Sequence, residues 1–210
     1  MGRKANPIGI RLSITNDWED SVYFKSKDYS MYLNASYRLK TYLINCYKQY
    51  GLIRVRIRQE RYFYRVVLET EDSGYFLRMI KGRVNSLNTK LKKLFWSDIK
   101  IVVKQLDNPT YHPLVIAYKL INETSDISIK ANVKQIASSL VGVSIMGLKV
   151  RYSGRINGSD MAQTIWHIEG RMPLQTLAAD IRYASVNIKT SYGISTFKVW
   201  VCVNVFQTQI

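Results

Sequence analysis

From Asp28 onward, Tyr29, Tyr32, Leu33, Ser36, Leu39, Leu43, Cys46 and Tyr47 recur at three- and four-residue steps, the spacing that lines one face of an α-helix. Asp28 suits the N-cap of such a helix and Gly51 its stop. The period then falls to two. Leu52, Val55 and Ile57 alternate with Arg54, Arg56 and Arg58 and predict a strand, and the aromatic and β-branched residues 62–70 predict a second. Residues 71–74 read as a turn. After the apolar Tyr75, Phe76 and Leu77, the positions Val84, Leu87, Leu91, Leu94 and Phe95 mark a basic amphipathic helix, followed by a strand at 99–106. Residues 107–113, with Pro109, His112 and Pro113, break every regular pattern and predict a domain boundary. Beyond it, 114–120 and 129–141 look helical, and 148–156, 164–169, 180–191 and 195–206 look extended, the last two joined by Tyr192-Gly193. Residues 1–27 show neither period. The resulting plan is an extended N-terminal arm (1–27) and two α+β domains (28–107 and 108–210), each a sheet with helices on one face.

Composition changes this picture by adding a partner. A 210-residue chain with 47% hydrophobic residues buries a core, which excludes wholesale disorder. Its 31 Lys and Arg against 15 Asp and Glu give a net charge of +16, a field that attracts polyanions. Between 51 and 104 the cations Arg54, Arg56, Arg58, Arg61, Arg65, Arg78, Lys81, Arg83, Lys90, Lys92, Lys93, Lys100 and Lys104 are interleaved with Tyr62, Phe63, Tyr64, Tyr75 and Phe76. RNA calls for that mixture: cations meet phosphates, and flat rings meet unstacked bases. Lys130 and Lys134 stand one turn apart on a predicted helix, so both project from one face toward a phosphate strand.

The search for catalytic chemistry yields little. Cys46 and Cys202 lie far apart, which rules out a disulfide scaffold and a four-thiolate zinc site. His112 and His167 have no metal-ligand spacing, and neither a Gly-rich phosphate loop nor a nucleophile elbow is present. The expectation is no metal, no cofactor, no catalytic residue and no small-molecule substrate. Asp160, Glu169 and Asp180 are expected to balance Arg155, Arg171 and Arg182, and Cys202 to share a sheet face with Trp200 in the core. Met1-Gly2-Arg3-Lys4 is followed at once by Asn6, Pro7 and Gly9, without the apolar region of a signal peptide, and no apolar run reaches the roughly 18 residues of a membrane span. These features predict no membrane partner and a protein that stays where it is made.

Four segments carry a resemblance. GRKANPIGIRL from Gly2, GLKVRYSGRINGSDMAQT from Gly147, IEGRMPLQTLAADIRY from Ile168 and TSYGISTFKVWV from Thr190 resemble, in order, parts of small-subunit ribosomal protein three, the universal S-three family of the ribosomal head. The resemblance implies an N-terminal type II KH domain and a C-terminal α+β domain with a mostly antiparallel sheet. It also implies a non-enzymatic protein that binds small-subunit ribosomal RNA and lines the channel through which mRNA enters, beside neighbouring head proteins, with helicase-like help in opening mRNA helices. The family's basic triplet in that channel falls on Lys130, Ala131 and Lys134, which implies a weakened contact. Its GxxG phosphate clamp falls on Arg78, Met79, Ile80 and Lys81, a degenerate KH loop that has lost both glycines. The residues expected on RNA are Arg3, Lys4, Arg11, Arg83, Lys90, Lys93, Arg151, Arg155, Arg171 and Lys189, and RNA is expected to order residues 1–27.

The eroded clamp, the absence of a long basic tail, and Ala162-Gln163 and Ala178 where the family usually keeps arginines resemble organelle-encoded members. They imply a mitochondrial ribosome in the matrix, with a plastid or a bacterial cytoplasm as alternatives. The competing functions are a free-standing regulatory RNA- or DNA-binding protein and a DNA-nicking enzyme of the kind credited to some relatives.

Overall fold

The computed structural model describes residues 4–60, 63–81, 89, 98–106, 108–123, 129–141 and 145–205, without the side chains of 48, 123, 129, 130, 157, 204 and 205. The basic helix predicted over 84–95 lies outside the described residues. The chain divides into two compact units, one spanning 18–107 and the other combining 1–17 with 108–210.

The first unit contains β1 (Asp20–Ser21), α1 (Ser26–Tyr47), β2 (Leu52–Gln59), β3 (Phe63–Thr70), α2 (Ser73–Ile80) and β4 (Asp98–Gln105). The strands form one sheet in the order β1-β2-β3-β4. β2 and β3 are antiparallel, whereas β1 runs parallel to β2 and β4 to β3. The two-residue alternation buries Val55, Ile57, Val66, Leu68 and Ile99 against Leu39, Leu43 and Tyr47 of α1 and Phe76 and Ile80 of α2. Gly51, at φ +81°, carries the chain from the 3-10 turn Lys48–Tyr50 that follows α1 into β2, a conformation for which glycine has no Cβ penalty. The helix starts two residues before the predicted cap, so Asp28 lies in its first turn.

The predicted turn at 71–74 is the start of α2. Asp72 Oδ1 accepts hydrogen bonds from the backbone N–H groups of Gly74 (2.8 Å) and Tyr75 (3.2 Å), which caps the helix. The degenerate loop expected at Arg78, Met79, Ile80 and Lys81 is therefore not a loop. Phe76 and Ile80, one turn apart, are both buried, so the helix runs through Arg78 and Met79 and ends at the Lys81 C-cap.

In the second unit, α3 (Pro113–Glu123) and α4 (Ile129–Leu140) precede β5 (Gly147–Gly154), β6 (Gln163–Gly170), β7 (Ala179–Thr190) and β8 (Gly193–Val205). The sheet order is β6-β5-β8-β7, with every neighbouring pair antiparallel. Ile116, Ala117 and Leu120 of α3 and Val133 and Ala137 of α4 cover one face, packing on Leu148, Val150, Val186, Phe197, Val199 and Val201. Both units thus have the α+β character that the periodicities predict. His112, read as part of a breaker, starts α3: its carbonyl accepts from Ile116 N–H at 3.1 Å and its Nδ1 from Leu114 N–H at 3.3 Å. Cys202 is buried beside Ala179 and Ile181, with Trp200 packed against the same cluster.

Residues 1–27 do not form one extended arm. Residues 4–17 belong to the second unit, with a 3-10 turn at Gly9–Arg11 and a bridge from Leu12 to Asn16. Residues 18–25 lead into the first unit and supply β1. Among the described residues, no helix is long and apolar enough to cross a membrane.

Candidate nucleic-acid interface

Strand alternation places Arg54, Arg56 and Arg58 of β2 on the side of the first sheet away from the core, with Phe63 and Arg65 of β3 and Lys100 and Lys104 of β4. Arg58, Arg65 and Lys100 are direct cross-strand neighbours. Much of this charge is answered within the unit. Glu69, nearly buried, lies 3.0 Å from Arg56 Nε and 4.0 Å from Arg54 Nε. Glu60 reaches Arg65 at 2.6 Å, and the Lys100 ammonium sits 4.0 Å above the Phe63 ring. This face is largely an internal ion-pair network.

The helix-free face of the second sheet is different. Leu148 and Val150 of β5 turn to the helices, so Lys149 and Arg151 turn away from them. Across the strands, Arg151 stands between Trp166 of β6 and Lys198 of β8, and Lys149 between Ile168 and Trp200, beyond which lies Tyr183 of β7. The Lys149 ammonium is 5.3 Å from the Trp200 ring, and the Tyr183 and Trp200 rings are 5.2 Å apart. Burial, then Lys4, then Arg151 pull the Lys149 pKa below the usual lysine value. Among the described residues, Arg151 Nε is buried without a hydrogen-bond partner. The ion pairs of this unit join His167 to Glu169 at 3.0 Å and Arg182 to Asp180 at 3.4 Å, leaving Lys149, Arg151 and Lys198 without a carboxylate among the described residues. Like charges directly opposed across a sheet are unfavourable, and a polyanion laid over this patch relieves that repulsion.

The residues expected on RNA from the sequence scatter. Lys4 is exposed and acts on Lys149, and Arg151 forms the centre of the patch. Lys189 is exposed near the end of β7 and Arg171 just after β6. Arg155 is also exposed, donating from Nε to the Ser159 carbonyl at 2.8 Å. Arg11 does not face RNA. It is fully buried, and its guanidinium donates to the carbonyls of Pro7, Leu174, Thr176 and Ala179 at 2.8–3.0 Å. Arg3, Arg83, Lys90 and Lys93 lie outside the described residues. Lys130 and Lys134 share α4 one turn apart; Lys134 is exposed, and the Lys130 side chain lies outside the described atoms.

Of the four residues expected to form a degenerate KH loop, Ile80 is core at the end of α2, while Arg78, Met79 and Lys81 are exposed. Of the balancing carboxylates, Asp180 pairs with Arg182 as expected, whereas Glu169 pairs with His167. Sequence reading left Lys149, Lys198 and Trp166 out of the interface. The alternation in GLKVRYSG, QTIWHIEG and TFKVW sets these side chains on one face of each strand, but the register that brings the strands together is not local.

The sequence profile of the ribosomal protein S3 C-terminal domain matches residues 116–201. The small ribosomal subunit protein uS3 of Vesicomyosocius okutanii is 31% identical over 202 residues, 96% of this chain and 88% of that protein. The protein of the same name from Cereibacter sphaeroides is 30% identical over 96% of this chain and 85% of its own length, and that of Coxiella burnetii 28% over 96% and 89%.

Proposed function

Because the chain belongs to the ribosomal protein S3 family and is a structural constituent of the small ribosomal subunit, we propose that it holds ribosomal RNA through the Lys149, Arg151 and Lys198 region of the helix-free face of its C-terminal sheet and borders the path of mRNA through α4. The observation that carries this reading is the patch of Lys149, Arg151 and Lys198, cations without carboxylate partners among the described residues and set among aromatic rings. Binding there neutralises phosphates and releases their counterions. Lys130 and Lys134, on the helical layer, offer the mRNA strand two phosphate contacts, with Ala131 contributing none. We read residues 28–107 as a KH-like domain in which side chains of the basic surface, rather than a glycine clamp, meet RNA. Residues 108–210 form the domain that names the family, with neighbouring head proteins as further partners. The role is binding, with no enzymatic step.

The mitochondrial ribosome is the compartment we favour. About 30% identity to bacterial relatives across nearly the whole chain, together with Ala131, Ala162 and Ala178 at family cation positions, supports a lineage with relaxed RNA contacts. Sedimentation of a gentle lysate tests the reading: the chain is expected to travel with small-subunit ribosomal RNA, and with the mitochondrial species of it. A free low-mass peak counts against the ribosomal RNA contact, and travel with cytoplasmic ribosomes counts against the compartment alone.

A further inference from the structure

Trp166 is 61% exposed on β6, an edge strand of the C-terminal sheet, directly opposite Arg151. The other indole of this face, Trp200, is already engaged by Lys149 and Tyr183. Among the described residues, Trp166 makes no ring or cation contact. An exposed indole therefore stands beside a guanidinium whose buried Nε has no partner among the described residues, with Lys198 one strand further on.

We propose that this corner of the sheet seats an unpaired nucleotide of RNA, its base stacked on Trp166 and its flanking phosphates held by Arg151 and Lys198. The inference rests on the reading of this face as an RNA contact and adds what kind of RNA it takes. A paired A-form helix keeps its bases stacked inside and presents phosphates and riboses, for which the cations suffice and the indole has no use. An unpaired base has a free π-face, and an aromatic side chain accepts it whatever its identity. An apolar protein neighbour also covers exposed indoles, but three cations without carboxylates beside the ring favour a polyanion.

The test uses the full chain as wild type, Trp166→Ala, Trp166→Phe, and Arg151→Ala with Lys198→Ala. Each is titrated by fluorescence anisotropy with an unstructured oligoadenylate and with a fully paired hairpin of equal phosphate number, over a series of salt concentrations. Circular dichroism melting checks that each variant is folded. Trp166→Ala is expected to weaken oligoadenylate binding roughly tenfold or more, to leave the slope of affinity against salt unchanged, and to leave hairpin binding unchanged. Trp166→Phe retains most of the affinity. Arg151→Ala with Lys198→Ala lowers the salt slope for both RNAs by about two phosphate contacts. Unchanged oligoadenylate binding by Trp166→Ala, with the double variant still weakened, overturns the stacking site and makes a protein the cover of Trp166. A double variant that binds both RNAs like wild type overturns the RNA reading of the face itself.

Discussion

A guanidinium carries five N–H donors that need partners once it leaves water, and Arg11 meets four of them with carbonyls from its own segment and from residues more than 160 positions away. Burial pulls its pKa down, with Cys202 and Asp180 acting in the opposite sense. Arg11→Ala leaves these carbonyls facing a void and is expected to lower stability by roughly 3 kcal/mol or more, read from urea unfolding. Arg11→Lys recovers only part, since one ammonium cannot replace a planar fork; wild-type stability in both variants would remove Arg11 from the interior framework. Nothing near Arg11 in the sequence signals burial. A cation in a basic segment reads as surface, because charge is local information and burial is not. Lys149 is the counterpart on the surface. Its folded pKa is lowered by burial, Lys4 and Arg151, so between that value and the ordinary lysine value the unfolded chain binds more protons. This group therefore costs stability at neutral pH, and the cost fades as pH rises through that window. NMR of the lysine side chains is expected to show Lys149 losing its proton below the other lysines in the free chain, and moving up when RNA is added; an ordinary and unmoved titration would separate it from the anion patch.

At the scale of elements, strand and helix periods were legible where one face is apolar and the other wet, as in α1, β2 and all four strands of the second sheet. α2 was not. Its eight residues mix Tyr75, Leu77 and Met79, exposed, with Phe76 and Ile80, buried, so no stripe emerges, and Asp72-Ser73-Gly74 has the composition of a turn as readily as of a cap. The family's segments also acquire a backbone reason here. Gly147 and Gly170 face each other where β5 and β6 meet. A Cβ on Gly147 would lie 2.1 Å from the Arg171 carbonyl oxygen, and one on Gly170, at φ +74°, would lie 2.3 Å from that of Met146. Side chains at these positions must push main chain aside, and the N–H of Arg171 donating to the Met146 carbonyl at 2.9 Å holds that main chain in place. Gly170→Ala is expected to destabilise the unit by roughly 1–3 kcal/mol, measured by chemical denaturation, while Gly9→Ala, with open space at its Cβ position, stays close to wild type. Equal losses at both glycines would place the cost in the loss of glycine itself rather than in the crowded junction.

At the scale of the whole chain, a net charge of +16 announces a polyanion partner but not where it binds. The structure divides the charge into a first sheet where Glu60 and Glu69 meet Arg54, Arg56 and Arg65 and a second where, among the described residues, Arg182 is met by Asp180 but Lys149, Arg151 and Lys198 have no carboxylate, a distinction set by register and so invisible to composition. Within the second unit, α3 and α4 cover one face of the sheet and leave Lys149, Arg151 and Lys198 on the other. The exposed Lys134 and this patch therefore belong to opposite sides of one layer. On the proposed function, ribosomal RNA meets the sheet side and mRNA the helix side, and substitutions on the two sides should separate. Arg151→Ala with Lys198→Ala is expected to weaken incorporation into the small subunit. Lys130→Ala with Lys134→Ala should leave incorporation intact and slow translation through an mRNA hairpin more than through unpaired message, since only the hairpin demands that strands be held apart. Exposed lysines in salt contribute about 1 kcal/mol or less each, so the slowing is a few-fold rather than a block. Hairpin passage timed on reconstituted ribosomes decides the matter: equal rates on both messages would mean that the loss of a cation at Ala131 had already silenced this side, and failed incorporation would move Lys130 and Lys134 from the mRNA path to the ribosomal RNA.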